Sequence, residues 1–203
     1  MGITIGTEFI GDLVLEVFHS LNDNLLSKLF CDITPKTCHN FYVFCNGSEE
    51  MIEKNEVEKY KNSYKDSIFF RCIKDGFIQG GDLLYGSGNE GVSIYGELMS
   101  GKSIERNLNL LKSDENFIVP HDQRGLLTTV NDGRHSNNSQ FMITLGPTKW
   151  MDCKQVCFGR VVEGFHTLNA MENIPTVNQR PIKEIKIESI IEITPEYLNT
   201  ISF

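Results

Sequence analysis

The chain has no run of about 18 apolar residues, the length that a helix needs to cross a bilayer. Its first residues, MGITIGTEFIGDLVLE, lack the basic start and apolar centre of a secretory signal, and Gly6 stands where a myristoylated Met1-Gly2 start takes Ser or Thr. A protein of the cytoplasm or nucleus, without a membrane partner, is the resulting expectation. Basic charge is also short: 19 Lys and Arg face 27 Asp and Glu, a net charge of −8. That balance removes the clustered cations that displace counterions from a phosphate backbone, so no nucleic-acid partner is expected. No C-x-x-C pair occurs among Cys31, Cys38, Cys45, Cys72, Cys153 and Cys157, and the Cys153–Cys157 spacing matches no usual zinc pattern. Six reduced core thiols are expected, with neither disulfide nor metal. No repeat or linker divides the 203 residues, which suit a single domain over 1–203 with one sizeable core.

What is present is mostly strand. Alternation of apolar and polar residues over 2–7 and 12–18 predicts an opening hairpin with its turn at Gly11-Asp12. Thr34-Pro35-Lys36-Thr37 predicts a helix start, with Thr34 as cap, Pro35 at the first helical position, and Cys38, Phe41, Tyr42 and Cys45 as the buried face. Residues 126–130, 140–145, 157–162 and 182–193 read as strands, and Phe165, Leu168 and Met171 fall at helical spacing. So many strands with two helices fit a closed antiparallel barrel, since closure removes exposed edges. The charged residues 49–61 read as a solvated surface segment.

The chemistry concentrates in residues 69–97, FFRCIKDGFIQGGDLLYGSGNEGVSIYGE, where Arg71 and Gln79 fall on neighbouring strands ahead of the flexible Gly80-Gly81 pair. An arginine in an apolar strand needs a carboxylate partner or a groove, so a structural ion pair and a functional role both stand open. Residues 86–91 match G-x-G-x-x-G, but no helical pattern starts at the last glycine, which excludes a dinucleotide loop. Residues 131–138, rich in turn formers and held between two strands, are a natural place for binding groups.

FFRCI, FIQGGD and GSGNEGVSIYGE resemble the cyclophilin pattern F-H-R-x-I, F-M-x-Q-G-G-D and G-x-G-x-G-G-x-S-I-Y-G-E. Residues 125–145 and 148–164 resemble that family's later blocks in the right order, and Pro35 to Phe41 resembles its first helix. The resemblance covers nearly the whole chain, apart from insertions around 21–32, 49–60 and 98–115. It implies a mainly β fold: a closed eight-stranded antiparallel barrel capped by two α-helices. It also implies a monomeric peptidyl-prolyl cis-trans isomerase that acts on X-Pro bonds of protein substrates, assists folding or conformational switching, and binds cyclosporin. No metal or organic cofactor is implied.

By the same resemblance Arg71 is the catalytic arginine, Gln79 holds its guanidinium, and Asn131 grips substrate backbone. Phe70, Gly76, Phe77, Val130, Gln140, Met142, Trp150, Met151 and Gln155 line the substrate groove. Trp150, the only tryptophan, matches the residue whose indole N–H meets bound peptide or cyclosporin; its alternative is a core position. Several of these residues depart from the family pattern. Gly76 and Phe77 replace Phe and Met, Phe70 replaces His, and Met142 replaces Phe. Val130, Met151 and Gln155 replace Ala, Leu and His. None of the five histidines falls at a matched site. The polar machinery is retained while the apolar pocket is rebuilt, so activity below the family norm is expected. The alternative is a proline-peptide binding module, with weak or no isomerase activity, in a larger complex.

Overall fold

The computed structural model describes residues 1–16, 33–47, 61–84, 86–88, 91–94 and 114–193. The insertions expected at 21–32 and 49–60, and most of that at 98–115, lie outside the described residues.

Two single residues, Leu13 and Phe70, mark where the chain leaves one sheet for another. β1 (Gly2–Ile5) and β2 (Glu8–Asp12) pair antiparallel, and β3 (Val14–Glu16) follows one residue later in a different sheet. In the same way β4 (Ile68–Phe69) is followed across Phe70 by β5 (Arg71–Ile73). Then come β6 (Phe77–Gly80), β7 (Leu126–Thr129), β8 (Phe141–Thr144), β9 (Cys157–Glu163), the short hairpin of β10 (Thr176–Val177) and β11 (Arg180–Pro181), and β12 (Ile185–Ser189). Hydrogen bonding gives a four-stranded sheet β2-β1-β12-β4 and a six-stranded sheet β3-β9-β7-β8-β6-β5, all pairs antiparallel. The fold is mainly β with two helices, α1 (Pro35–Asn46) and α2 (Phe165–Glu172). Among the described residues the ladders form separate sheets and not one continuous closed ring.

The opening hairpin turns at Gly6-Thr7, not at Gly11-Asp12; Gly6 takes the left-handed φ of 64°. The reason is register: β1 sits between β2 and β12 and is buried along its length, while the residues after Leu13 pair with β9 instead. The closing strand is likewise shorter than 182–193, because residues 180–181 pair back on β10 before β12 begins.

Helix α1 begins where expected, with Pro35 in its first turn, but Thr34 makes no side-chain cap. The first-turn amides of Lys36 and Thr37 instead donate to the two carboxylate oxygens of Glu115, each at 2.9 Å, where a negative charge also suits the helix N-terminus. Its buried face is Cys38, Asn40, Phe41 and Phe44. Tyr42 turns outward, its hydroxyl within 3.2 Å of Glu192. Phe41, Tyr64, Phe69, Phe141 and Phe158 then build an aromatic core with ring centroids 5.1 to 5.8 Å apart. Each such buried ring contributes about 1.5 to 3 kcal/mol by area. The Tyr64 hydroxyl donates to the Ser139 carbonyl at 2.6 Å, which ties this core to the residue just before Gln140.

Of the described cysteines, Cys38, Cys45, Cys72, Cys153 and Cys157 are free thiols. Burial pushes Cys45 and Cys157 up to about 12 and Cys72 to about 11, so these thiols are poor nucleophiles. Cys153 departs from the core-thiol expectation: it is exposed, on a turn with φ 59°.

Candidate functional site

Side-chain alternation across the six-stranded sheet sorts its residues into two faces. Cys72, Ile78, Leu127, Phe141 and Ile143 share one face and join the main core. The opposite face carries Arg71 and Ile73 on β5, Phe77 and Gln79 on β6, and Met142 on β8, with Arg71 opposite Gln79 and Gln79 opposite Met142. Gln140 and Val130 lie in the same alternation, just outside β8 and β7. Burial on both faces explains the unbroken apolar runs at 77–78 and 141–143.

The polar half of this face is a directed chain. Arg71 has only donors, so the amide it meets must present oxygen: Arg71 Nη1 donates to Gln79 Oε1 at 3.5 Å. That fixes the flip of Gln79, whose Nε2 donates to Gln140 Oε1 at 2.8 Å, and Gln140 Nε2 passes on to the Gly88 carbonyl at 3.1 Å. Gln79 and Gln140 are both buried, so their amides are held in these roles. Gly81, with φ 83°, permits the turn behind them; a Cβ there would lie 2.5 Å from the Ser139 carbonyl oxygen.

Of the two roles open to Arg71, the ion pair is absent among the described residues. Its partners are amide oxygens and the face of Phe77, whose ring centroid lies 5.1 Å from the guanidinium carbon.

The apolar half is a second cluster, separate from the main core: Phe77, Met142 and Met151, with Ile73 and Val130 packed against it. Trp150 stands at its rim on the 3-10 turn Lys149–Met151, 54% exposed, its ring 6.0 Å from that of Phe77. The tryptophan is therefore a surface residue beside Phe77, not part of the core.

The remaining residues fall around these halves. Asn131 Nδ2 donates to the Lys154 carbonyl at 2.8 Å and to Asn137 Oδ1 at 3.4 Å, which clamps the 131–138 loop to the turn after Trp150. Gln155 is half-buried, and its Oε1 is enclosed with no hydrogen-bond partner among the described residues. Gly76 sits in the turn between β5 and β6, its amide on the Ile73 carbonyl and its own carbonyl taking the Leu145 amide. Phe70 is buried beneath Gly88, where any added Cβ would lie 2.5 Å from its ring; its place is under the loop, apart from the Phe77 cluster.

Two features have no part in the motif reading. Gln179, on the β10–β11 turn, accepts from Arg71 Nε at 2.7 Å. His121, only 1% exposed, bridges Asp152 Oδ1 and Thr128 Oγ1, each at 2.9 Å. The carboxylate can only accept, so Nδ1 carries a proton and donates to Asp152, while Nε2 meets the Thr128 hydroxyl, which also lies 3.2 Å from the Val156 carbonyl. Asp152 also takes the His121 backbone amide at 2.8 Å, and this bond first, the ring second, holds its carboxyl below the usual value. The pair pins the turn that presents Trp150. Proline at 120 and the loop formers around it hid His121, while an Asn-Gln pair signals a turn but not the strand it touches. Among the described residues no three His, Cys, Asp or Glu side chains converge as a metal site would require.

The guanidinium, the two fixed amides, the apolar cluster and the exposed indole thus lie together on one side of the six-stranded sheet. The family model for cyclophilin type peptidyl-prolyl cis-trans isomerase/CLD matches residues 14–192, and the chain belongs to that family. The chain is similar to human probable inactive peptidyl-prolyl cis-trans isomerase-like 6, 44% identical over 163 residues, which are 80% of this chain and 47% of that protein. The mouse protein of the same name is also 44% identical, over 78% of this chain and 45% of its own length. Peptidyl-prolyl cis-trans isomerase H of Mycosarcoma maydis is 41% identical over 164 residues, 80% of this chain and 93% of that protein. The chain thus spans about half the length of the first two relatives and nearly all of the third.

Proposed function

We propose that the chain is a peptidyl-prolyl cis-trans isomerase of reduced rate, which takes X-Pro segments of proteins along the face bearing Arg71, Gln79, Gln140 and Trp150. The barrier to be lowered, about 18 to 20 kcal/mol, comes from amide resonance that delocalises the nitrogen lone pair. A donor to the prolyl nitrogen strengthens as the bond twists and the lone pair localises, so its stabilisation is larger in the transition state than in the ground state. Arg71 is that donor. Gln79 steadies it, Asn131 accepts from substrate backbone through its side-chain oxygen, and Phe77 and Met142 receive the proline ring. The observation that carries the reading is the Arg71–Gln79–Gln140 chain set against the Phe77 cluster, with no carboxylate among the described residues taking up the arginine.

The same reading joins the two sheets into one closed eight-stranded barrel, with β2 and β3 counted as one strand bent at Leu13, and β4 and β5 as one bent at Phe70. It also makes the protein a monomer that binds cyclosporin through Trp150, more weakly than family members with His and Phe where this chain has Gln155 and Met142. Calorimetry that detects no cyclosporin binding at high micromolar drug would oppose that assignment.

A binding module without useful turnover is the second reading. Phe77 and Met142 are each only 4% exposed, so the floor is largely covered by its own side chains, and two relatives are named as probable inactive isomerases. Exchange NMR on a proline tetrapeptide separates the two. Faster cis-trans exchange at catalytic amounts of protein supports the isomerase; peptide binding with unchanged exchange supports the module.

A further inference from the structure

The tightest hold on Arg71 comes from outside the motif that contains it. Gln79, the cross-strand partner, accepts from Nη1 at 3.5 Å, at the limit of a useful hydrogen bond, whereas Gln179 Oε1 accepts from Nε at 2.7 Å. Gln179 reaches this point through the geometry of its turn. Asn178 and Gln179 have φ of 50° and 67°, the two left-handed residues that join β10 and β11 as a two-residue hairpin of the primed kind. The turn is docked on β5 by the Cys72 amide, which donates to the Gln179 carbonyl at 2.7 Å. Next to it, Arg180 Nη2 donates to the Gly86 carbonyl at 3.2 Å, and the Gly88 carbonyl two residues on receives Gln140. The links form a circuit: Arg71 to Gln79, Gln79 to Gln140, Gln140 to the 86–88 loop, that loop to Arg180, and Gln179 back to Arg71.

We infer that Gln179 is a positioning residue for Arg71: it takes the Nε–H and leaves the terminal Nη groups to address the prolyl amide. This rests on the isomerase reading and adds to it the residue that orients the donor. The hairpin is exposed on both strands and buries almost nothing, so the bond contributes little to folding. What it supplies is direction. A guanidinium held at Nη1 alone can swing about that contact; a second, shorter hold at Nε fixes its plane, and a fixed plane is what preorganised stabilisation of a twisted amide requires.

The test compares the parent with Gln179→Gly and Gln179→Glu, by exchange NMR on an X-Pro tetrapeptide and by the Arg71 Nε–H resonance of the nitrogen-15-labelled protein. Glycine suits the φ of 67° and retains the carbonyl that docks β5, so the hairpin persists while the amide is lost. The expected result is a turnover about fivefold lower with unchanged peptide affinity, and faster solvent exchange of the Arg71 Nε–H. Glutamate, which still presents an acceptor, restores the slow exchange of the Nε–H. Equal turnover in the parent and Gln179→Gly overturns the inference while leaving the isomerase reading intact, and so does a higher turnover, which would make Gln179 a competitor of substrate. A parent that accelerates nothing overturns the isomerase reading, and the Nε–H resonance then still decides whether Gln179 holds the arginine.

Discussion

The polar and apolar halves of the site differ in how they are held. Arg71, Gln79 and Gln140 form a directed chain of hydrogen bonds, fixed by cross-strand register and by burial of the two amides. Phe77, Met142 and Met151 have no such directional constraint; they fill space, and a ring entering from β6 with two flexible thioethers makes a floor that can adapt. Hydrogen-bond chemistry tolerates few substitutions, whereas an apolar floor tolerates many if volume is conserved. On the resemblance, that difference allows the polar half to be kept and the apolar half rebuilt, and it carries the expectation that recognition outlasts rate.

The largest effect should come from breaking the polar half. Arg71→Ala removes the transition-state donor and should cost about 3 kcal/mol, roughly a hundredfold in turnover by exchange NMR, with circular dichroism unchanged. Phe77→Ala should break the apolar half, weakening peptide binding by about 2 to 3 kcal/mol by calorimetry, since its ring is the main wall beside Arg71 and Trp150. Gly76→Phe sharpens the comparison by adding a second wall. A Cβ at Gly76 lies 3.2 Å from Ile73 Cγ2 and 3.3 Å from its carbonyl oxygen, so the turn must yield slightly, at about 1 kcal/mol of stability. Turnover should then rise severalfold. The smallest effect concerns the rim. Asp152 is held below the ordinary carboxylate value, so its stabilising bond to His121 is complete above that value and is lost as pH falls through the lower folded value. Fluorescence of Trp150, the only tryptophan, should therefore hold steady down to about pH 4 and change below it, and Asp152→Asn should abolish that acid transition.

The sequence made the two halves legible to different degrees. Arg71 and Gln79 were legible as residues of neighbouring strands, their interval and roles came from the resemblance, and the structure sets them opposite each other. Phe77 was assigned to the pocket only by the resemblance, as the residue where that family has Met, and the structure places it in the cluster with Met142 and Met151. The strands at 126–129, 141–144 and 157–163, and both helices, followed from periodicity. What could not be read was long-range. The Glu115 cap on α1, the hold of Gln179 on Arg71 and the His121–Asp152 pair join residues 31 to 108 positions apart through loops with no periodic signal. The misplaced first turn has a similar origin: alternation is the same in β2 and β3, and only pairing with β1 or β9 shows where one ends.

The central claim is a division of labour: the polar chain acts on the prolyl amide and the apolar floor holds the ring. The most direct measurement is turnover and affinity for Arg71→Ala and Phe77→Ala on one X-Pro tetrapeptide, each determined by exchange NMR and titration. The account expects Arg71→Ala to lose turnover with affinity nearly unchanged, and Phe77→Ala to lose affinity with turnover at saturation nearly unchanged. Full turnover in Arg71→Ala, or parallel losses of both quantities in both variants, would contradict it.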